Sequence, residues 1–294
     1  MSANKPRTAT GVALLRAAGA HELDPVFRNP DYLAEFLLPL TLRFIVRERP
    51  FRSMLVWASK RRIPGGYYFH IARTKHIDSV LQQCVKDGIT QVVNLGAGFD
   101  TRAHRFKDVL EGINVIEVDH PATQVVKLER LNHVNAELLS DKVDYVPLDF
   151  ESQKVESLLE FHYDPKQSTL FILEGICMYI NPEAVDSVFD FIRKKSGSGS
   201  SVVFDYIFSR MLQKDFRYYG SRQSYDYANK LGSPYKSGFP EGEIGSYLAR
   251  KGAKILSEYD ASMLDSTYLR DSSGVVRGRI WEYTNIVHAS FESE

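Results

Sequence analysis

The pattern of hydrophobic and polar residues changes near residue 90. Before that point, apolar side chains recur every three or four residues, as in amphipathic helices. The clearest example is 67–86, where Ile71, Ile77, Val80, Leu81 and Val85 keep helical spacing. Further helices are predicted over 8–20, from Asn29 to about Pro39, and over 51–60.

After residue 90, short apolar runs alternate with helical segments. Strands are predicted at 92–95, 114–119, 143–146, 169–173, 201–207, about 253–259 and 278–289. Helices are predicted at 122–139, 151–161, 181–195 and 241–251. This alternation is typical of parallel βαβ units, so we expect an α/β fold with an open, doubly wound sheet.

Residues 209–240 interrupt the alternation and are rich in aromatic and basic side chains. They are either a surface insertion with a few packed rings or a lid over a substrate pocket. We therefore expect a single domain, 1–294, with a helical extension (1–90), a core (91–208), this lid-like insertion (209–240) and closing elements (241–294).

Composition narrows the class of protein. The 294 residues contain 37 Lys+Arg and 37 Asp+Glu, which gives no electrostatic case for nucleic acid or an anionic membrane. The longest apolar region, 33–46, is interrupted by Glu35, Pro39 and Arg43 and does not read as membrane-spanning. Two isolated cysteines, Cys84 and Cys177, predict neither a metal site nor a disulfide framework, and favour a reducing cytoplasm.

The candidate chemistry lies where predicted strands end, because open α/β sheets bind ligands at the carboxyl edge. A glycine turn, Gly96-Ala97-Gly98, follows the first strand. Alone it fits a tight turn in any α/β protein as well as a ligand loop. Three later strands end in or lead into acids, at Asp119, Asp149 and Glu174, and such acids would repel one another unless they face donors or a cation.

Several roles for these residues can be compared. Asp119 lies about 20 residues beyond the glycine turn, where an acid can accept hydrogen bonds from ribose hydroxyls. Glu117 is a rival, although a carboxylate paired elsewhere in the protein is favoured for it. Asp149 either accepts from an exocyclic amine, with Phe150 as a flat contact, or caps the next helix. Arg73 could bind a carboxylate if its helix packs over the strand ends.

Five segments resemble the leucine carboxyl methyltransferase family, which includes bacterial small-molecule O-methyltransferases. They are ARTKHID (72–78), VVNLGAGFDTRAHR (92–105), IEVDHP (116–121), PLDF (147–150) and ILEGICMYI (172–180). The resemblance covers roughly 60–210. It implies a Rossmann-like class I methyltransferase fold with a seven-stranded, mostly parallel sheet whose last strand is antiparallel.

The resemblance also implies an S-adenosyl-L-methionine site. Arg73 would hold the methionine carboxylate and Glu174 would face the ammonium. Asp119 would bind the ribose. Gly96 and Gly98 would let the chain pass close to the methionine half of the cofactor. Asp149 and Phe150 would contact the adenine.

The methyl acceptor is less constrained. No histidine stands in an obvious catalytic motif: His120 is expected to be positional, and His70, His76 and His104 to be surface or packing residues. This favours an acceptor that needs no general base, a carboxylate or an acidic phenol. Candidates for orienting it are Tyr179, Tyr206, Arg217, Tyr218, Tyr219 and Arg222.

We therefore expect a cytoplasmic O-methyltransferase of specialised metabolism, acting on a small-molecule acceptor without nucleic acid, membrane or metal. Two alternatives stay open: a protein methyltransferase for a C-terminal leucine carboxylate, and a non-catalytic module that binds S-adenosyl-L-methionine. A nicotinamide dehydrogenase is disfavoured, because Thr101 replaces the small residue that its glycine fingerprint needs. The sequence does not predict the oligomeric state.

Overall fold

A seven-stranded sheet forms the centre of the computed structural model, which describes residues 5–291, with side chains from residue 7 onward. The strands are β1 (Gln91–Leu95), β2 (Asn114–Asp119), β3 (Val143–Pro147), β4 (Thr169–Leu173), β5 (Ser201–Ile207), β6 (Ala253–Tyr259) and β7 (Thr284–Phe291). Their order is β3-β2-β1-β4-β5-β7-β6, and β7 runs antiparallel to both of its neighbours, β5 and β6. The predicted fold class is confirmed.

The chain reverses its direction of travel across the sheet beside β1. It moves outward through β2 and β3, then crosses back so that β4 pairs with β1 on the other side. In open α/β sheets, ligands bind at the carboxyl ends of the strands at this switch point. The glycine turn after β1 therefore lies at the place where a site is expected.

Ten α-helices surround the sheet in the part of the chain that the structure describes. They are α1 (Lys5–Ala20), α2 (Leu40–Arg47), α3 (Arg49–Arg62), α4 (Gly66–Lys86), α5 (Arg102–Arg105), α6 (Pro121–Leu131), α7 (Pro182–Lys195), α8 (Ser221–Lys230), α9 (Ile244–Arg250) and α10 (Ala261–Tyr268). None of the helices in 5–291 has the length and apolarity needed to cross a membrane.

Some predicted helices are wrong in extent. The segment expected to be helical from Asn29 contains only a 3-10 turn, Ala34–Leu37, because the Asn29 side chain accepts the Asp31 N–H and fixes a turn. The helix predicted over 122–139 ends at Leu131, and the one over 151–161 is the 3-10 segment Val155–Glu160. The last predicted strand begins later, at Thr284, and α2, α8 and α10 were not predicted.

Two layers of apolar side chains bury the two faces of the sheet. Successive residues of β1 point to opposite faces, so Val92 packs in the layer that contains α4 and Val93 in the layer that contains α7. Helix α4 supplies the face predicted from its spacing, including the fully buried Ile71 and Ile77. Because α1 packs against both α4 and α6, it covers the carboxyl edge of the sheet.

Candidate cofactor and acceptor site

A cavity of about 550 Å³ opens at the carboxyl ends of the parallel strands. This volume lies in the range of small-molecule and cofactor sites. Its floor is formed by the loops after β1 to β4, and its roof by α1, α3 and the second half of the insertion. The lining includes Tyr179, predicted for the acceptor, and all seven residues predicted for the cofactor: Arg73, Gly96, Gly98, Asp119, Asp149, Phe150 and Glu174.

Asp119 forms one corner of the cavity at the end of β2. Its Oδ1 accepts the His120 N–H at 2.6 Å, and its Oδ2 accepts the Gly98 N–H. Burial raises the pKa of this carboxyl, although both backbone N–H groups oppose the shift. The rival Glu117 is buried against Lys127, so the prediction that Glu117 pairs elsewhere is confirmed.

The two glycines of the turn do different things. Gly96 has φ +77°, and a Cβ there would lie 2.4 Å from Ile176 Cδ1, so this glycine permits packing between two loops. Gly98 has φ +51°, and an added Cβ would come no closer than 3.7 Å to Ala9 and 4.0 Å to Asp119 Oδ2. Both of those neighbours line the cavity, so Gly98 leaves space inside it.

The loop after β3 provides an apolar wall. Leu148 is buried and Phe150 half-buried, and both line the cavity. Asp149 accepts the Glu151 N–H at 3.2 Å, so it caps a turn, and its Oδ2 lies 3.8 Å from His120 Nε2. The capping role weighed from sequence is therefore present, although it serves a turn and not an α-helix.

Glu174, just after β4, lies among three guanidinium groups. Its Oε2 accepts from Arg102 at 2.6 Å, while Oε1 lies 3.1 Å from Arg73 and 3.9 Å from Arg16. Burial alone would raise the pKa of this carboxyl, but the charges of Arg73, Arg102 and Arg16 outweigh burial and hold the pKa below its usual range. Glu174 is thus a permanent carboxylate that positions three arginines.

Arg73 extends from α4 over the strand ends, as its predicted role requires. Its Nη1 donates to Asp205 at 2.7 Å, and its Nη2 lies 3.2 Å from His70 Nδ1. Its Nε is buried and has no hydrogen-bond partner anywhere in the described chain. A buried donor without a partner is costly, so this N–H is suited to a ligand acceptor in the cavity.

A chain of hydroxyl groups occupies the cavity end beside β5 and β7. Tyr179 packs against Tyr235, with their ring centroids 5.5 Å apart. Tyr235 Oη lies 2.8 Å from Ser224 Oγ, which accepts from Tyr283 Oη at 2.5 Å. Burial raises the pKa of both Tyr179 and Tyr235, so at neutral pH both hold their protons.

Tyr206 does not belong to this cluster. Its ring is fully buried on the opposite face of β5, and its hydroxyl donates to Glu258 at 2.8 Å. Adjacent strand residues point to opposite faces, so Asp205 and Ile207 reach the cavity and Tyr206 cannot. The expectation that Tyr206 orients the acceptor is withdrawn.

The four insertion residues proposed from sequence also lie outside the cavity lining. Arg217 pairs with Asp215 at 2.7 Å, and Tyr218 donates to Glu241 at 2.6 Å. The guanidinium of Arg279 lies over the Tyr219 ring, and the guanidinium of Arg222 lies over the Phe216 ring. The second half of the insertion, 224–236, supplies the lining, because α8 turns that half toward α1.

Sequence reasoning missed several lining residues. Arg16 on α1 is buried, and the indole Nε1 of Trp281 and Oγ1 of Thr284 have no hydrogen-bond partner within 5–291. All three lie far in sequence from the glycine turn, and only tertiary packing brings them to it. His70 also lines the cavity; burial, then the charge of Arg73, holds its pKa well below the ordinary value.

Two solved structures share this architecture. A DUF574 family protein from Streptomyces avermitilis has a TM-score of 0.61 and 15% identity, over 84% of this chain and 94% of that one. A provisionally named methyltransferase from Thermobifida fusca has a TM-score of 0.60 and 14% identity, over 83% and 89%. The fold is therefore the class I methyltransferase fold.

The sequence identifies the family within that class. Residues 9–193 match the leucine carboxyl methyltransferase family, and the chain belongs to it. A Frankia alni protein is 33% identical over 197 residues, which are 66% of this chain and 65% of that protein. A Bacillus subtilis protein is 31% identical over 196 residues, 63% and 60% of the two chains. Both are provisionally named S-adenosyl-L-methionine-dependent methyltransferases, and the alignments span slightly less than two thirds of their lengths.

Proposed function

We propose that this protein is an S-adenosyl-L-methionine-dependent O-methyltransferase whose acceptor is a small-molecule carboxylate or phenol. The observation that carries the proposal is the corner at Asp119, a carboxylate held by two backbone N–H groups at the carboxyl end of β2. That corner shares one cavity with the unpartnered donor of Arg73 and with the tyrosine cluster. The family and the names of its members support the same activity.

The residues present fit such a cofactor. Asp119 offers acceptor lone pairs to ribose hydroxyls, and Leu148 and Phe150 offer an apolar wall to a flat ring. Arg73 offers its unpartnered Nε–H to a carboxylate. Glu174 keeps its negative charge near any ammonium or sulfonium group, while also holding Arg73 in place.

The bound cofactor would supply a methyl group activated by sulfonium, for in-line displacement by an acceptor oxygen. The protein's part is to align that oxygen and exclude water. We assign the alignment to Tyr179 and Tyr235, which remain O–H donors at neutral pH.

The site favours an acceptor that is already ionised. His70 is the histidine nearest Arg73, but its Nδ1 faces the Arg73 N–H and therefore accepts, which leaves the proton on Nε2. In that tautomer Nδ1 is committed to Arg73 and Nε2 carries the proton, so His70 has no free lone pair for a general base. A carboxylate or an acidic phenol needs no base. We retain from the sequence the predictions of a cytoplasmic location and a role in specialised metabolism.

Calorimetric titration with S-adenosyl-L-methionine tests the cofactor. Wild type is expected to bind it in preference to NAD, and Asp119→Asn to weaken binding by roughly 1–3 kcal/mol, the cost of unmade buried hydrogen bonds. Asp144→Asn is the matched control, because Asp144 lies on the adjacent β3 and pairs with His162 away from the cavity. If the two variants bound S-adenosyl-L-methionine with equal affinity, Asp119 would not be part of the cofactor site.

A methyl-transfer screen then tests the acceptor. Small carboxylic acids, phenols and a peptide ending in leucine are compared with the same labelled cofactor. Methylation of the small acids or phenols supports the proposal. Methylation of the peptide alone would replace it by protein carboxyl methylation, and binding without transfer to any of these would leave a cofactor-binding module.

A further inference from the structure

The outer face of the α2–α3 hairpin exposes large apolar side chains. Five of them form what we call the α2–α3 patch: Leu40 (81% exposed), Phe44 (57%), Phe51 (45%), Met54 (61%) and Trp57 (56%). The rings of Phe44 and Phe51 lie 5.9 Å apart, which joins the faces of the two helices. Contiguous exposed apolar side chains of this kind mark interaction surfaces.

The same hairpin concentrates positive charge. Residues 40–62 contain one acid, Glu48, and seven basic residues, in a chain whose total charges balance: Arg43, Arg47, Arg49, Arg52, Lys60, Arg61 and Arg62. Arg47 is paired with Glu35. Among the described side chains, no carboxylate lies within ion-pair distance of the other six basic groups. The hairpin surface is therefore both basic and apolar, although the charges of the whole chain balance.

Helix α3 also connects this surface to the cavity. Leu55 and Ser59 line the cavity from the inner side of the helix, while Met54 and Trp57 lie on the outer side. Arg62 both lines the cavity and is exposed, so the cavity opens at this end of α3. Whatever occupies the outer side lies beside the cavity mouth.

We propose that the α2–α3 patch docks on an anionic lipid surface. Amphipathic helices that combine Arg and Lys with exposed Trp, Phe and Leu bind at such interfaces, where apolar side chains enter the acyl boundary and cations meet phosphate headgroups. The expectation of no membrane partner used the total charge and the interrupted apolar region 33–46, and the proposal departs from it on the local charge of the hairpin.

Other occupants fit less well. A second copy placed face to face would set exposed arginines of the hairpin, such as Arg49 and Arg61, against the same arginines, which is repulsive in an isologous contact. Nucleic acid would engage the arginines but leave Leu40 and Met54 without a role, because phosphate contacts dominate that binding. A corollary, which rests on the proposed function, is that the acceptor is an amphiphilic carboxylate or phenol taken from the lipid surface.

Vesicle sedimentation tests docking without cofactor or acceptor, so its failure is distinct from failure of the proposed function. Wild type is expected to bind phosphatidylcholine vesicles containing about one third phosphatidylglycerol, and to bind pure phosphatidylcholine far less. Arg49→Glu with Arg61→Glu should lower the partition coefficient at least about tenfold, since each basic group contributes roughly a fivefold factor. Phe44→Ser with Trp57→Ser should do the same.

Two control variants match these changes elsewhere on the surface. Lys194→Glu with Lys254→Glu reverses two exposed charges on α7 and β6, and Val125→Ser with Leu256→Ser removes exposed apolar side chains. Both controls should bind as wild type does. Brominated lipid should also quench the fluorescence of Trp57, one of two tryptophans.

Three results would overturn the proposal. The first is equal binding to charged and uncharged vesicles, or none to either. The second is loss of binding in the controls as large as in the patch variants. The third is a wild-type dimer in sedimentation velocity that Phe44→Ser with Trp57→Ser converts to monomer, which would make a second copy the occupant.

Discussion

Arg102, the first residue of helix α5 and two residues beyond Asp100, donates to Glu174 just after β4 over 2.6 Å. Both side chains are almost fully buried, and Arg102 also bonds Asp78 on α4 at 2.7 Å. This arginine therefore ties together the two loops that flank the switch point and the helix that covers them. The cavity floor is held by ion pairs whose partners come from three separate elements.

Removal of the Glu174 charge should destabilise the fold strongly. Glu174→Gln removes the carboxylate that Arg73 and Arg102 share; Asp205 and Asp78 still pair with them, so the loss of these charge-assisted hydrogen bonds should cost about 1.5–3 kcal/mol. The midpoint of urea unfolding is expected to fall accordingly. Asp215→Asn, which breaks the surface pair with Arg217, should leave the midpoint unchanged. Equal midpoints for the two variants would show that the buried network does not stabilise the chain.

The two glycines of the turn should respond differently to alanine. Both have positive φ, so each substitution carries the left-handed penalty of about 1–2 kcal/mol. Only Gly96→Ala adds a clash, with Ile176 Cδ1 at 2.4 Å, so it should cost clearly more than Gly98→Ala. Ile176→Ala should recover part of the extra cost in a double-mutant cycle of unfolding free energies. Independent, additive effects would contradict this contact.

The sequence predicted the elements whose signals are local. The strands of the sheet, the glycine turn and the acids at strand ends follow from hydrophobic periodicity and from residues that terminate strands. The lid-like insertion could be bounded, but its cavity-facing half could not, because that depends on how α8 turns toward α1. Thr8 Oγ1 lies 2.8 Å from Ser233 Oγ, a contact across 225 positions with no local signal.

Burial of ionic groups was also beyond sequence reasoning. Arg16 and Arg102 are charged residue types that usually lie in solvent, yet both are almost fully buried. Their burial becomes understandable only when Glu174, Asp100 and Asp31 are seen beside them. Tyr206 failed as a candidate for a simpler reason, since its place at the end of β5 did not reveal which face it occupies.

Substitutions in the tyrosine cluster should change turnover of the acceptor and leave the affinity for the cofactor unchanged. Tyr179→Phe or Tyr235→Phe removes one hydroxyl from the cavity lining, so turnover should fall by about tenfold or more, while the dissociation constant of the cofactor stays unchanged. Tyr206→Phe is the contrast. It loses the hydrogen bond to Glu258 and some stability, but its turnover should match wild type. A loss of turnover in Tyr206→Phe as large as in Tyr179→Phe would contradict the division between the two faces of β5.

His104 provides a test of acid sensitivity. Its ring is buried between two partners: Nδ1 accepts the Ser140 N–H at 3.1 Å, so the proton lies on Nε2, 3.1 Å from Tyr145 Oη. Burial, then the charge of Lys127, lowers the pKa of His104 to about 4. A second proton would place an N–H at Nδ1 against the Ser140 N–H.

The sign of the effect follows from this lowered pKa. Between the folded value of about 4 and the ordinary 6.5, the unfolded chain binds more protons, so stability is complete above that window and falls as pH decreases through it. His104 should contribute roughly 2 kcal/mol to the loss between pH 7 and pH 5. In His104→Asn the amide oxygen can still accept the Ser140 N–H, so the free energy of urea unfolding should fall by about 2 kcal/mol less than in wild type between pH 7 and pH 5. His133→Asn, which replaces an exposed histidine, should lose as much stability as wild type. If His104→Asn and wild type lost the same stability over this pH range, the buried neutral imidazole would not be a source of acid sensitivity.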